Sequence, residues 1–196
     1  MASAGSEEGL ALAVWRREES AFERLVKTFE KPLMNYAHKL LQDVGDAQEV
    51  VQDTFLRAHR ALTRQYSGDR CRELALRPWL YRIARNLSVN KRRGKRHSVE
   101  EPLEELEQET LPQPGADVAI ICRVEQKQEL ERLNRAIALL PRESRDLVFL
   151  RFIEEMSYAE ISKVTGGGEA SLRGKVFRSL RLLRQELAEE EETHAV

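Results

Sequence analysis

Cysteine is scarce in this chain, and metal-type spacing is missing altogether. Only Cys71 and Cys122 occur in 196 residues, too few and too far apart for a disulfide framework or a metal loop. They read as ordinary thiols of a reducing compartment. The four histidines, His38, His59, His97 and His194, are scattered, so neither a metal site nor a cofactor is expected. No apolar run is long enough to span a bilayer and no signal-peptide pattern opens the sequence. The expected location is therefore cytoplasmic, without membrane insertion. Gly166-Gly167-Gly168 lacks the lysine and hydroxyl of a phosphate loop, and nothing resembles a nucleophile elbow. The glycines read as a turn, and the chain is not expected to be an enzyme.

A large charge of one sign is also missing. The net charge is −1, although a third of the residues are charged. Near-neutrality hides segregation: Lys91 to Arg96 is basic, the next segment is acidic, and a second basic stretch near the end runs into glutamates. Such segregation suits a polyanion partner together with an acidic surface directed inward or at another protein.

The most informative stretch is Arg77 to His97, RPWLYRIARNLSVNKRRGKRH. Pro78 suits a first helical turn, whose amides need no intrahelical acceptor. Trp79, Leu80, Ile83, Ala84 and Leu87 recur at helical spacing as one apolar stripe. Arg82, Asn86 and Arg93 fall together beside that stripe, with Asn90 at its edge. The pattern fits an amphipathic core helix with a solvated basic end. That is the reading the pattern alone favours; the sharper alternative is a helix that anchors in a core and offers Arg and Asn to nucleic acid, cations to phosphates and amides to base edges.

Upstream, the periodicity predicts a short helix over 8–17 and a longer one opened by a Ser20/Glu23 capping box. Pro32 should kink or restart it, and Gly45 should end it. Asp46 should cap DAQEVVQDTFLRAHRAL, whose buried stripe is Val50, Val51, Thr54, Phe55, Ala58 and Leu62. Its other face carries Glu49, Gln52, Asp53 and Arg57, either a solvated surface or a docking surface for a protein. Residues 66–76 read as a loop, with Gly68-Asp69 as the turn signal.

From Ser98 to Gly115 there are six glutamates, three prolines and no Lys or Arg. Such a segment cannot bury enough surface to fold alone and reads as a flexible acidic linker. The expected fold class is all-α: two small helical domains, 1–97 and 117–196, joined by the linker at 98–116. In the second half a long helix is expected over 117–139, with Pro141 starting the next. Ser157 and Glu160 form a capping box. The last helix, from about Glu169, buries Leu172, Val176, Leu180, Leu183 and Leu187. A short helix, a glycine turn and a longer basic helix make a helix-turn-helix. Its second helix would enter a major groove by its N-terminal half, which presents Arg173, Gly174, Phe177 and Arg178.

Together these pieces resemble an extracytoplasmic-function (ECF) sigma factor of the sigma-70 family, over roughly residues 20–97 and 125–187. DAQEVVQDTFLRAHRAL is similar to the family's core-polymerase-binding helix. WLYRIARNLSVNKRR is similar to its promoter-melting segment. LPRESRDLVFLRFIEEMSYAEISKVTG, with the basic helix that follows, is similar to its upstream-element reader. The resemblance implies sigma-2 and sigma-4 domains that bind bacterial RNA polymerase core and promoter DNA, with an anti-sigma factor as regulator. Carried over by position, Asp46, Glu49, Gln52, Asp53 and Phe55 match the core-binding set, Phe55 by packing. Arg82, Asn86, Asn90, Lys91, Arg92 and Arg93 match the −10 recognition and melting set. Ser171, Arg173, Gly174, Lys175, Phe177 and Arg178 match the −35 set. Gly174-Lys175-Val176 departs from the family's more usual Ser-Arg-Ile or Ser-Arg-Leu. Two other classes fit parts of the pattern: a dimeric helix-turn-helix regulator that ignores polymerase, and a protein-interaction module whose basic helices meet acidic partners.

Overall fold

The computed structural model describes residues 9–98, 132–133 and 135–194, and all regular structure among them is helical. In chain order the elements are α1 (Leu10–Trp15), α2 (Ala21–Leu41), α3 (Val44–Arg60), α4 (Gly68–Glu73), α5 (Leu76–Ser98), α6 (Arg142–Val148), α7 (Tyr158–Thr165) and α8 (Glu169–His194). Single π-helical turns, Ala61–Gln65 and Phe149–Ile153, extend α3 and α6. Residues 135–139 are helical as well. The acidic segment at 99–116 and most of the helix expected over 117–139 lie outside the described residues.

Periodicity placed the helices well, and local chemistry moved their ends. Ser20 is not a cap. It sits in the left-handed region at φ 57° and its side chain bonds no amide, whereas capping requires an extended backbone. Pro32 lies inside a continuous α2. The loss of one backbone hydrogen bond there is outweighed by the buried neighbours Phe29 and Leu33. The helix ends at Leu41, with Gln42 left-handed, and not at Gly45. Asp43, extended, is the cap of α3, and its Oδ1 accepts from the Asp46 amide at 2.7 Å. Gly45 and Asp46 are thus already helical. The segment read as a loop contains α4, capped by Ser67, whose hydroxyl accepts from the Arg70 amide at 3.3 Å. The Ser157/Glu160 box is present in both directions, at 3.2 and 2.8 Å.

Helices α1 to α5 form one bundle. Leu25, Phe29, Leu33, Val50, Phe55, Leu62, Leu80 and Ala84 all face inward, and each large side chain so buried contributes roughly 1.5–3 kcal/mol. The same apolar cluster continues without a break through Leu147, Leu150, Met156, Ile161, Val164, Leu172 and Val176 of the second half. The two halves meet where α5 packs on α7. A smaller cluster of Ala136, Leu140, Val148 and Leu183 ties residues 135–140 to α6 and α8.

Candidate nucleic-acid interface

Helix α5 has three working sides. Leu80, Tyr81, Ala84 and Ser88 are buried, and Ser88 folds its hydroxyl back to the Ala84 carbonyl at 2.8 Å. On another side Arg82, Asn86, Asn90 and Arg93 are exposed. Their spacing of four, four and three places them on one stripe. Two guanidinium groups and two amides thus face solvent along about 16 Å of helix, while the far side is locked in a core.

Lys91 and Arg92 do not share that stripe. Lys91 Nζ lies 2.6 Å from Glu49 and 3.4 Å from Asp46, and the hydrogen bond to Glu49 holds the ammonium pKa above its usual range. Arg92 donates to the Leu40 carbonyl at 3.0 Å, at the C-terminal end of α2, where a cation meets both orphan carbonyls and the helix dipole. Both residues position α5 against α2 and α3.

On α3, Glu49 and Gln52 are exposed, Asp46 and Asp53 are half-buried, and Phe55 is buried. Phe55 therefore serves by packing. Two of the four polar members are engaged by Lys91, which leaves Gln52 and Asp53 as the pair that Lys91 does not hold. Leu56, four residues after Gln52, is 49 % exposed. It belongs to no inward stripe, and a leucine out of register was its signal in the sequence.

Residues 66–79 are held by an aromatic chain. Trp15 Nε1 donates to the Tyr66 carbonyl at 3.1 Å, Tyr66 and Trp79 rings sit 5.7 Å apart, and Arg70 lies 4.2 Å over the Tyr66 ring. The segment is therefore an ordered wall beside the start of α5. Asn86 stands about 10 Å of helical rise beyond Trp79.

In the second half, Gly166 ends α7 at φ 79°, its N–H bonded to the Ser162 carbonyl at 2.8 Å. A Cβ on Gly167 would stand 3.1 Å from Leu172, so a glycine lets α8 seat closely. Leu172, Val176, Ser179 and Leu183 of α8 face inward, whereas Ser171, Arg173, Phe177 and Arg178 are exposed. Phe177 is 67 % exposed, a large apolar cost for a side chain with no partner to meet. Gly174, half-buried, leaves room beside Arg178. Lys175 turns aside to pair with Glu143 of α6. Arg173 lies over the Tyr158 ring at 5.2 Å. Arg181 and Arg184 are also exposed on the Arg173/Phe177 side. Sequence reasoning stopped short of them, although they continue the same helical spacing.

Two segments of the chain match family models. Residues 25–98 match Sigma-70 region 2, and residues 130–183 match Sigma-70, region 4. The chain belongs to the sigma-70 family. Among relatives of this sigma factor, RNA polymerase sigma-H factor of Pseudomonas aeruginosa is 29 % identical over 177 residues, covering 88 % of this chain and 89 % of that protein. The ECF RNA polymerase sigma-E factor of Escherichia coli K12 is 27 % identical over 179 residues, covering 89 % and 90 %. The fold is shared with CnrH, solved with the cytosolic domain of CnrY, at a TM-score of 0.65 and 24 % identity over 93 % of this chain and 97 % of that one. It is shared also with the sigma factor RpoE of Bartonella quintana, solved with the anti-sigma factor NepR, at 0.67 and 18 % over 86 % and 98 %. The sigma factor is a promoter-specificity subunit of bacterial RNA polymerase, and its family is one of transcription initiation factors. No helix among the described residues is long and apolar enough to cross a membrane.

Proposed function

We propose that the labour of promoter recognition divides between the two exposed faces. The stripe of Arg82, Asn86, Asn90 and Arg93 on α5 recognises and melts the −10 element. Ser171, Arg173, Gly174, Phe177 and Arg178 on α8 read the −35 element, with Arg181 and Arg184 adding phosphate contacts. Gln52 and Asp53 on α3, with Leu56, dock on core polymerase. Residues 1–97 and 117–196 act as the two working domains, and 98–116 as the tether between them.

The observation that carries this reading is the exposed stripe of α5. A helix anchored on its opposite side can hold Arg and Asn rigidly against DNA while an unpaired base leaves the stack. Extrusion costs a few kcal/mol per base, which phosphate contacts and amide hydrogen bonds to the base offset. The protein performs no chemistry of its own. It acts in the cytoplasm, beside the polymerase, and an anti-sigma factor regulates it, as NepR is the anti-sigma factor solved with RpoE of Bartonella quintana. A dimeric helix-turn-helix repressor would need α7 and α8 but not the docking and melting helices α3 and α5.

Transcription in vitro with core polymerase and a pool of random promoters tests the reading. Two enriched sequence blocks at a fixed separation are expected. Core-dependent transcripts without any enriched block, or none at all, would overturn it.

A further inference from the structure

Helices α1 and α4 are six residues each, too short to hold a shape by backbone bonds alone. Their positions are set by what they pack on. Leu10, Ala11, Ala13 and Val14 of α1 are buried, so α1 is seated in the core of the first bundle, against α2 and the π-turn at Ala61–Gln65. Left-handed Arg17 then turns the chain towards α2. Helix α4 buries one side chain of its own, Cys71, and packs chiefly on α1. The anchored helix thus fixes the weakly anchored one.

Trp15 makes that joint. Its Nε1 donates to the Tyr66 carbonyl at 3.1 Å, across 51 residues of sequence. Its ring also lies against Gly68, where a Cβ would stand 3.0 Å from two of the ring carbons. Gly68 opens α4 without a positive φ, so its small size serves the close approach of the ring. Trp15 is 40 % exposed and adds little to the core; it ties α1 to the turn before α4. The residues it holds form a ledge at the head of the α5 stripe. The Tyr66 ring leans on Trp79, and the exposed Arg70 guanidinium lies over the Tyr66 ring. Arg82, the first member of the stripe, is three residues past Trp79, about 4.5 Å of helical rise, and residues so spaced are neighbours on a helix. A guanidinium backed by an aromatic ring offers charge and a flat surface to an unpaired base.

We infer that Trp15 is a positioning residue for recognition of the −10 element, acting through Tyr66 and Arg70. It touches no DNA itself. It fixes where Arg70 stands relative to Arg82 and Asn86, so that a base unpaired along α5 meets a surface already in place. A ledge that had to become ordered on binding would lose affinity to its own conformational entropy. Without Trp15, α4 keeps its Ser67 cap but loses the group that ties its first turn to α1.

The inference rests on the α5 stripe proposed above, and a double-mutant cycle separates the two. Holoenzyme formed from the full chain and core polymerase is titrated with two single-stranded oligonucleotides. One carries the −10 block enriched from the random pool, and the other is abasic throughout that block. Phosphate contacts cancel in the ratio of the two affinities, and so does the fraction of protein that is folded, so a loss of stability alone leaves the ratio unchanged. Trp15→Ala should lower the ratio about fivefold. Arg70→Ala should do the same, and the double variant should fall no further than either alone. Affinities for core and for the upstream duplex should not change. Gly68→Ala displaces the Trp15 ring while giving α4 a better helix former. It should reproduce W15A at undiminished helicity, and it decides if W15A fails to fold. An unchanged ratio in W15A, or additive losses in the double variant, would overturn the positioning role. A loss in Asn86→Ala without one in W15A would do so while leaving the stripe standing. A wild-type holoenzyme with no preference for the intact block would overturn the stripe, and the inference with it.

Discussion

At the scale of single residues, exposure sorts cations that look alike in the sequence. Arg82 and Arg93 face solvent, whereas Lys91 and Arg92 are spent on Glu49, Asp46 and Leu40. Asn86→Ala should therefore slow open-complex formation on duplex promoters, and the defect should shrink on templates already mismatched at the −10 element. Because Asn86 is exposed, its melting curve should stay within about 0.5 kcal/mol of wild type. Normal opening by a less stable protein would remove Asn86 from base capture, and permanganate reactivity of unpaired thymines reads the opening. Arg178→Ala should lose roughly 1–3 kcal/mol of discrimination at one −35 base pair if the contact is bidentate. Pure phosphate contact would instead weaken all sequences equally and flatten the salt slope by about one unit. Unchanged affinity and salt dependence would turn α8 away from DNA.

At the scale of elements, caps and turns explain where helices begin. The Ser157/Glu160 box satisfies two orphan groups at the start of α7, the helix on which α5 rests. Ser157→Ala should cost about 1 kcal/mol, seen as a lower denaturant midpoint at unchanged slope. A changed slope would mean that the halves had separated instead. Helix α3 bears the docking prediction. Gln52→Ala with Asp53→Ala should weaken core binding and leave helical content intact, since neither side chain belongs to the buried stripe. Unchanged core affinity in that double variant would move docking elsewhere. The Ser157 box was legible from its four-residue signature. Ser20/Glu23 has the same signature and makes no cap, because Ser20 is left-handed rather than extended and its side chain accepts from no amide of the first turn.

At the scale of the whole molecule, the two tyrosines that bond Asp146 and Glu154 across the halves give a pH test. Tyr36 is pushed well above the usual tyrosine range, by burial first and then by the charge of Asp146. Tyr81 is pushed up by burial first and then by Glu154. Both folded values lie above the unfolded one, so the stabilisation is fully present below about pH 10 and fades as pH rises above it. Urea unfolding between about pH 9 and 11 should show stability falling with pH. Tyr36→Phe with Tyr81→Phe should flatten that slope, and an unaltered slope would place the alkaline sensitivity outside these two contacts.

Helical periodicity alone determined the all-helical fold class, the order of the longer helices though not the short α4, the exposed stripe of α5 and the outward face of α8. Each of these follows from side chains three or four residues apart, which report whether a face is wet or dry. The fates of Tyr36, Tyr81, Arg85 and Lys91 were decided only by the tertiary structure. Tyr81 lies between inward Leu80 and outward Arg82, and nothing nearby says that its hydroxyl ends on Glu154, 73 residues away. Asp146 carries the same carboxylate as any solvated helix residue until Tyr36 and Arg85 close over it. A periodic pattern marks a face as buried without naming what buries it, and contacts across 61 to 110 residues leave no local trace.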